Sequence, residues 1–399
     1  MVKFMNMFLV FLCSASVFGH SALISTKPSQ EADMKSRADS LKKNKSFKEA
    51  IAVYDIVSSD SPKNIDVLIS KAECLAQIGE INSALLTFKS AIEIDSTNAQ
   101  MWKSIGDTYL FGNLPESAIK SYARSITLNP KLSLAYSSMG SAYSKLNITD
   151  TAVLAFKKAL EVDSTNHEAW YNWSLILNAQ GSVDQAMQCL KKSIASNQDF
   201  APAYNNLGML YYGAGFPDSA LASFNSAILS DKSNAGYYNN AGLACLDLRD
   251  TINAFNFFKN ALRYDSTNAK AVYNAGLTSF YLLQYKDAIN YVMKALQMQP
   301  NVPDYWYTAG LIHAANNEKH FASTYWSQCI KLDSTNSKYP YAIGSLYDDS
   351  SSLKREYFEK ASALGNEKAK VWLAEQSAKT QNNSSDSATN GKKSKKKKK

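Results

Sequence analysis

Four asparagines recur at a fixed interval of 34 residues: Asn172, Asn206, Asn240 and Asn274. An asparagine amide both donates and accepts hydrogen bonds, as a peptide group does. A row of such amides can therefore hold the backbone of a bound peptide with little regard for its sequence. Amide, aromatic and apolar residues recur beside them and would supply further contacts: Tyr171, Asn205, Asn239, Tyr273, Met209, Tyr212 and Phe280. We take this set as the predicted partner-binding site.

Residue types that catalyse reactions or bind metals show no comparable pattern in the sequence. The four histidines have neither the spacing of a zinc site nor the neighbours of a Ser-His-Asp set. No glycine-rich phosphate-binding loop occurs. The sequence therefore predicts no catalytic residue, no metal and no cofactor.

The asparagines belong to a repeat that runs along most of the chain. The tetrapeptide DSTN occurs four times, beginning at Asp95, Asp163, Asp265 and Asp333. These intervals are multiples of 34, a period typical of repeat proteins. When the repeat is counted from Glu31, position 20 is alanine in all nine complete repeats, from Ala50 to Ala322, and position 8 is always small.

The spacing within one repeat predicts two helices. Apolar residues at positions 4, 7, 8 and 11 form one stripe, and those at positions 20, 24 and 27 form another. Each repeat is then a helical hairpin that buries its outer stripes by stacking on the next. The DSTN residues favour caps and turns, so they separate one hairpin from the next. Positions 2, 5, 6, 9, 12 and 13 point away from the core and line a concave surface.

Two segments show the pattern most fully: AQMWKSIGDTYLFGNLPESAIKSYARSITLNP, from Ala99, and AYNNLGMLYYGAGFPDSALASFNSAILSDKSN, from Ala203. They resemble the tetratricopeptide repeat family, and the resemblance covers residues 31–336. It implies an all-α, right-handed superhelical solenoid of about ten helix-turn-helix repeats. We expect the array to occupy residues 31–376, with repeats starting near residues 31, 65, 99, 133, 167, 201, 235, 269, 303 and 337. A last helix, Glu367–Gln376, would cap it.

The N-terminus has the pattern of a secretory signal peptide over residues 1–22. Lys3 precedes the apolar segment Phe4–Leu12, and small residues follow, with cleavage favoured after Gly19. The apolar stretch is shorter than a membrane span needs. The sequence therefore predicts no transmembrane span after cleavage; an uncleaved anchor and a bacterial lipoprotein are the alternatives.

The positive charge of the chain is concentrated at its C-terminus. The formal net charge is +8, and the segment Lys392–Lys399 alone contributes seven lysines. The rest of the chain is nearly neutral, which argues against a specific nucleic-acid surface. Residues 377–399 are polar and predicted to be disordered. The lysines would attract an anionic surface; the alternative is a solubilising tail without a ligand.

Four cysteines remain once the predicted signal peptide is removed: Cys74, Cys189, Cys245 and Cys329. None lies in a repeat adjacent to another. Packed helices are about 8–10 Å apart, so residues two repeats apart exceed the roughly 7 Å that a disulfide can bridge between Cα atoms. The sequence predicts four unpaired thiols.

These patterns favour a non-catalytic, exported scaffold or adaptor that binds a protein or peptide in its concave groove. One alternative is a subunit of an envelope assembly or secretion machine. Another is a targeting subunit for a separate enzyme, because the asparagine run resembles the substrate-guiding repeats of O-GlcNAc transferase. The predicted location is periplasmic or secreted, with the lumen of a secretory pathway as the alternative.

Overall fold

A computed structural model describes residues 27–379 of the chain, and it describes side-chain burial from residue 31 onward. Every regular element in this range is a helix, which confirms the all-α prediction. The chain divides into two compact units, an N-terminal unit ending at Ala169 and a C-terminal unit beginning at Trp170. The predicted signal peptide and the Lys392–Lys399 segment lie outside the described residues.

The N-terminal unit contains four complete helical hairpins, each formed by an odd-numbered helix and the helix that follows it. Its helices are α1 (Lys27–Lys43), α2 (Phe47–Asp60), α3 (Ile65–Gln77), α4 (Ile81–Ile94), α5 (Ala99–Phe111), α6 (Pro115–Leu128), α7 (Ser133–Lys145) and α8 (Thr149–Val162). The boundary between the two units falls within the first turn of the next helix, α9.

The C-terminal unit continues the alternation of first and second helices. Its helices are α9 (His167–Ala179), α10 (Val183–Ser196), α11 (Ala201–Gly213), α12 (Pro217–Ser230), α13 (Ala235–Asp247), α14 (Thr251–Tyr264), α15 (Ala269–Tyr281), α16 (Tyr285–Met298), α17 (Pro303–Ala315), α18 (Lys319–Leu332), α19 (Lys338–Gly344) and α20 (Ser352–Ala363). A last helix occupies residues 367–379 and so extends beyond the predicted end at Gln376.

The helices follow the 34-residue period. From the second to the ninth repeat, each first helix begins at position 1, as at Ala99 in α5 and Ala269 in α15. Each second helix begins at position 17, as at Ile81 in α4 and Lys319 in α18. The prediction of helix-turn-helix repeats is therefore confirmed.

Three of the four DSTN segments, those that begin at Asp95, Asp163 and Asp265, fill four-residue linkers between hairpins, and the fourth begins the five-residue linker between α18 and α19. In the first of them, Asp95 accepts hydrogen bonds from the Thr97 backbone N–H at 2.7 Å and the Thr97 hydroxyl at 2.6 Å. These bonds hold the pKa of the Asp95 carboxyl below its usual value. Asn98 caps α5 by accepting from the Met101 N–H at 3.0 Å. The same two kinds of bond occur in the linkers that begin at Asp163 and Asp265.

The core of each hairpin is a small residue on the first helix facing a large one on the second. All nine alanines at position 20 have no exposed surface. A Cβ atom added at Gly140 would lie 2.6 Å from Cε1 of Phe156, and one added at Gly242 would lie 2.6 Å from Cε1 of Phe258. Glycine at position 8 therefore allows the aromatic ring at position 24 to reach the first helix.

The buried stripe of the first helix is wider than the sequence pattern predicts. Position 3 is buried in each of the second to ninth repeats, as at Met101 and Ala203. Position 4, which the pattern places in the core, is buried at Leu68, Tyr238 and Val272. It is only half-buried at Trp102, Tyr136 and Tyr204. The reason is that a first helix inside a stack is covered by neighbouring repeats as well as by its own second helix.

The turn inside each hairpin has one fixed backbone conformation. Position 15 has a positive φ, between 59° and 85°, in all nine complete repeats: Lys45, Gly79, Asn113, Asn147, Gly181, Gly215, Arg249, Leu283 and Asn317. Glycine and asparagine tolerate this left-handed conformation, whereas a leucine is strained there. Among residues 27–379, no helix has the length and apolar character needed to cross a membrane.

Candidate partner-binding faces

The predicted partner-binding residues lie on α9, α11, α13 and α15, the first helices of four successive repeats in the C-terminal unit. Met209 is 50% exposed, and the other residues of the set are half-buried. The sequence predicted that position 6 points away from the core. In the structure this position lies where the first helices of neighbouring repeats meet.

The amides at position 6 bond to position 5 of the preceding repeat. Asn240 Nδ2 donates to Asn205 Oδ1 at 2.9 Å, and Asn274 Nδ2 donates to Asn239 Oδ1 at 3.0 Å. In the preceding pair, Asn206 Nδ2 donates to the Tyr171 hydroxyl at 3.1 Å. We call this series of bonds between residues 35 positions apart the amide ladder.

Aromatic contacts flank the amide ladder. The ring of Tyr171 meets the ring of Phe200 edge-on, with 5.2 Å between centroids. The ring of Tyr273 stacks on Tyr305, with centroids 4.5 Å apart, and its hydroxyl lies 2.9 Å from Thr308 Oγ1. Tyr171 and Tyr273 therefore each have a ring held by a neighbouring ring and a hydrogen-bonded hydroxyl.

Two further residues of the predicted set lie towards the ends of their helices. The pKa of Tyr212 is raised to about 12, mainly by burial and secondly by the hydrogen bond that its hydroxyl donates to Asp247. Its hydroxyl thus stays protonated at physiological pH. Phe280 packs near Tyr281 and Tyr285, with centroids 6.0 Å and 6.2 Å away.

The amides of the ladder are held in fixed orientations by these bonds. An asparagine amide has two N–H donors and two acceptor lone pairs, so one bond to a neighbouring repeat does not exhaust it. Because that bond fixes the amide plane, a ligand does not have to order the side chain on binding. Position 5 completes the ladder, although the sequence pattern gave it only a flanking role.

The first-helix face of the N-terminal unit is different in chemistry. It forms a groove of about 770 Å³. Seven of its fifteen lining residues are charged: Lys42, Lys43, Lys103, Lys145, Glu73, Asp107 and Glu168. The sequence identified this end as polar and mixed in charge, but it did not predict a groove there.

Hydrogen bonds join the charges of this groove across repeats. The Glu73 carboxylate accepts from the ammonium group of Lys42 on α1 and from Ser104 Oγ on α5, the latter at 2.5 Å. Asp107 pairs with Lys103 at 2.7 Å and accepts from the Tyr122 hydroxyl at 2.9 Å. Burial and the nearby Asp107 carboxylate raise the pKa of Tyr122 above its usual value.

The thiols and the potential metal ligands form no reactive site within the described residues. Cys74, Cys189, Cys245 and Cys329 are buried and unpaired. Burial raises the pKa of Cys74 and of Cys245 to about 11 and that of Cys329 to about 12. Over residues 27–379, no three His, Cys, Asp or Glu side chains are grouped so as to hold a metal ion.

Family models of the tetratricopeptide repeat match much of the array. One matches residues 99–132, 134–166, 167–200 and 269–302, and a second matches residues 205–269. No curated protein matches the chain.

One solved structure shares this architecture, with a TM-score above one half. The APC/C hetero-tetramer Cut9-Hcn1 is similar with a TM-score of 0.52 and 20% identity over 73% of this chain. This chain spans 57% of that structure's chain. Pseudomonas aeruginosa PilF is similar with a TM-score of 0.49 and 16% identity, over 53% of this chain and 96% of the PilF chain. YrrB, a TPR protein with an unusual peptide-binding site, is similar with a TM-score of 0.43 and 18% identity, over 46% of this chain and 94% of the YrrB chain. The family-model matches and the shared fold together show that this chain is built from tetratricopeptide repeats.

Proposed function

We propose that the chain is a non-catalytic scaffold that binds an extended peptide segment of a partner along the amide ladder. The observation that carries this proposal is the bonding of Asn206, Asn240 and Asn274 to the preceding repeats. It presents amide groups at a regular interval in a fixed orientation. A peptide backbone offers donors and acceptors at regular intervals, so it is the complementary ligand.

Selectivity for the partner comes from the residues beside the ladder. Met209 is half-exposed and unbranched, so it adapts to apolar side chains of different shape. Tyr171 and Tyr273 add rigid rings whose positions are fixed by Phe200 and Tyr305. Rigid aromatic contacts cost little conformational entropy when a ligand binds.

The test replaces Asn172, Asn206, Asn240 and Asn274 together by alanine. Each lost amide bond costs a ligand about 0.5–1.5 kcal/mol, so partner affinity should fall at least tenfold. The matched control replaces four exposed asparagines of the second helices of the same unit: Asn225, Asn256, Asn260 and Asn290. Circular dichroism checks that both proteins are folded. Equal affinity of the two variants would contradict the proposal.

The partner itself can be identified by photo-crosslinking. A benzophenone amino acid placed at Met209, on the ladder face, should capture the partner in the native compartment. The control position is Leu229, which is 73% exposed on the second helix α12. The proposal requires a product at Met209 that is absent at Leu229 and is lost when the four asparagines are replaced.

A second candidate function is the docking of a folded partner on the charged groove of the N-terminal unit. The observation that favours it is the groove of about 770 Å³ with paired charges on its walls. This function would suit a subunit of an envelope assembly or secretion machine. Replacing Lys42 and Lys103 by glutamate should then abolish binding, whereas replacing Asn172, Asn206, Asn240 and Asn274 by alanine should leave it intact.

We further infer that the chain is exported and that its C-terminal lysines bind an anionic surface. The N-terminal pattern around Lys3 supports export to the periplasm or outside the cell. Each lysine of Lys392–Lys399 near an anionic membrane contributes about 1 kcal/mol, which salt screens. Deleting this segment should reduce co-sedimentation with anionic liposomes at low salt. Equal binding by both proteins would exclude the anchor role.

The crosslinked product at Met209 distinguishes a targeting subunit from a scaffold or a docking subunit. If the ladder guides substrates to an enzyme, the crosslink at Met209 should capture many different polypeptides. The catalytic subunit should then be recovered at another surface. One dominant partner would exclude this role and leave the scaffold function.

A further inference from the structure

A second groove lies in the N-terminal unit, on a surface separate from the amide ladder and from the charged first-helix groove. Its walls are the second helices α4 and α6, and its floor is formed by residues of α5. Its volume is about 710 Å³. The floor carries Trp102 and Tyr109, both half-buried, and the α4 wall carries Leu85, Leu86 and Ile92.

Two small residues keep this groove open. At positions 19 and 23 of its repeat, α6 carries Ser117 and Ser121, which line the groove. In the eighth repeat the equivalent of Ser121 is Tyr291 on α16. The ring of Tyr291 packs edge-on against Phe255 of α14, with centroids 6.3 Å apart. Between α4 and α6 no such ring covers Leu85, the residue equivalent to Phe255.

Part of the apolar lining of the groove is exposed to solvent. Leu86 is 67% exposed on α4. Grooves that combine exposed aliphatic side chains with half-buried aromatic rings are typical of protein-binding surfaces. The lining residues on α4 run from Asn82 to Ile92, which corresponds to about three helical turns or 15 Å.

The backbone of the groove determines which conformation a ligand can have. Both walls are helices whose backbone groups are bonded within the helix, so they cannot pair with an extended strand. A helical ligand satisfies its own backbone and needs only side-chain contacts. A three-turn helix with apolar residues at positions i, i+3, i+4 and i+7 fits the length and the apolar floor.

The charges at the groove determine the polar face of that helix. Lys89 on α4 and Lys120 on α6 are exposed on opposite walls. Neither forms an ion pair with any other residue between positions 27 and 379. No carboxylate lines the groove. Acidic residues on both sides of an apolar stripe would therefore complement it.

We propose that the α4–α6 groove binds an amphipathic helix of a partner protein, with its apolar stripe on Trp102, Leu86 and Ile92 and its acidic residues beside Lys89 and Lys120. This site is independent of the peptide proposed for the amide ladder. A partner that uses both surfaces would present one extended segment and one helix.

The test uses the full mature chain and two synthetic helical peptides of fifteen residues. Both carry leucine at i, i+3, i+4, i+7 and i+11; one has glutamate and the other lysine at the flanking positions. Fluorescence anisotropy should show the glutamate peptide binding at least tenfold more tightly than the lysine peptide. Replacing Lys89 and Lys120 by glutamate should reverse this preference.

Two variants test whether the groove itself is the site. Leu86→Asp should weaken the glutamate peptide at least tenfold. Its matched control is Leu154→Asp, since Leu154 occupies the same repeat position on α8 and is 65% exposed. Ser121→Tyr recreates the ring of Tyr291 and should also abolish binding. Because Ser121 is buried, circular dichroism checks that this variant is folded. Equal effects of the two leucine variants, or equal binding of the two peptides, would overturn the proposal.

A second copy of the chain is the competing occupant. Sedimentation of the wild-type chain and of the Leu86→Asp variant separates the two. A monomer in both cases agrees with a partner helix. A wild-type dimer that Leu86→Asp converts to a monomer would assign the groove to self-association and overturn the proposal.

Discussion

On the first helices of the N-terminal unit, charged side chains bond to one another across repeats, whereas in the C-terminal unit amides and phenols do so. Glu73 joins Lys42 to Ser104, and each of these residues comes from a different repeat. In the C-terminal unit the same kind of link runs from Asn240 to Asn205. The two units share the alanine at position 20 and the small residue at position 8.

Within one repeat, some positions are shared by the two units and others differ between them. Positions 8, 20 and 24 specify the stacking of helices, and positions 5, 6, 9 and 12 are left to vary. The N-terminal unit uses them for charge, which is sensitive to salt. The C-terminal unit uses them for neutral hydrogen bonds, whose strength does not depend on salt.

The largest effect should come from changing the part that both units share. Gly140→Val and Gly242→Val each force a side chain into the ring at position 24. Each change should therefore lower the free energy of unfolding by about 1–3 kcal/mol. The cost should be similar in the two units. Hydrogen exchange should show the lost protection around α7 and α8 for the first variant and around α13 and α14 for the second.

The control for these variants is Gly213→Ala. A Cβ added at Gly213 meets no atom within 4 Å, and this residue ends α11. Alanine is a better helix former than glycine, so this change should stabilise the chain by up to about 1 kcal/mol. A neutral result for Gly140→Val would mean that the ring of Phe156 does not fix the helix spacing.

A second difference between the units is the hydroxyl at position 24. In the N-terminal unit two of the four residues at position 24, Tyr54 and Tyr122, donate a hydroxyl hydrogen bond to Asp39 and Asp107. In repeats five to nine no residue at position 24 carries a hydroxyl. Tyr122→Phe should cost about 1 kcal/mol at pH 7. The folded pKa of Tyr122 is raised, so its contribution is complete below pH 10, the usual tyrosine value, and is lost as pH rises beyond it.

The wild type should therefore lose its advantage over Tyr122→Phe above pH 10, by about 1 kcal/mol per pH unit. Urea titrations at pH 8, 10 and 11 measure this difference. Tyr136→Phe is the control, because the ring of Tyr136 on α7 is only half-buried. A constant difference between wild type and Tyr122→Phe at all three pH values would contradict the assignment.

The salt dependence of the two faces can be compared directly. Glu73→Gln removes one charge from a pair that is about one-third exposed, so it should cost about 0.5–1 kcal/mol at low salt and less in 1 M NaCl. Asn240→Ala should cost about 0.5–1.5 kcal/mol at both salt concentrations. If both costs fell equally with salt, the two faces would not differ as described.

The smallest effect concerns the hairpin turns. Leu283 has φ 60° and is 70% exposed. Replacing it by glycine should stabilise the chain by about 0.5–1 kcal/mol, because the strain of a left-handed leucine is removed. Asn317→Gly, at the same repeat position, should change stability by less. A loss of stability for Leu283→Gly would mean that its side chain makes a contact worth more than the strain.

Most of the fold could be predicted because it depends on residue types that recur at fixed intervals along the chain. The linkers that begin at Asp95 and Asp265 mark the ends of α4 and α14, and the alanines at position 20 mark the second helices. The wider buried stripe was missed. Whether Met101 at position 3 is buried depends on the neighbouring repeats, which the pattern of a single helix does not contain.

The candidate site was only partly predictable for a similar reason. The interval of 34 identified Asn206 and Asn240, but their bonds join residues 35 apart on different helices. This pairing depends on how successive first helices are offset. The α4–α6 groove depends on the small size of Ser117 and Ser121, and short polar residues on a second helix look like ordinary surface in a sequence.

The linkers have a consequence for how such a chain could evolve. The bonds that shape the Asp95 linker lie within it or reach only the last turn of α4 and the first turn of α5. The same four letters recur at Asp163 and Asp265. Recombination between two such linkers exchanges a whole number of hairpins and rebuilds an identical junction. A gene for this array can therefore gain or lose whole hairpins by duplication or deletion. Each added hairpin brings its own core residues together with its own variable surface positions.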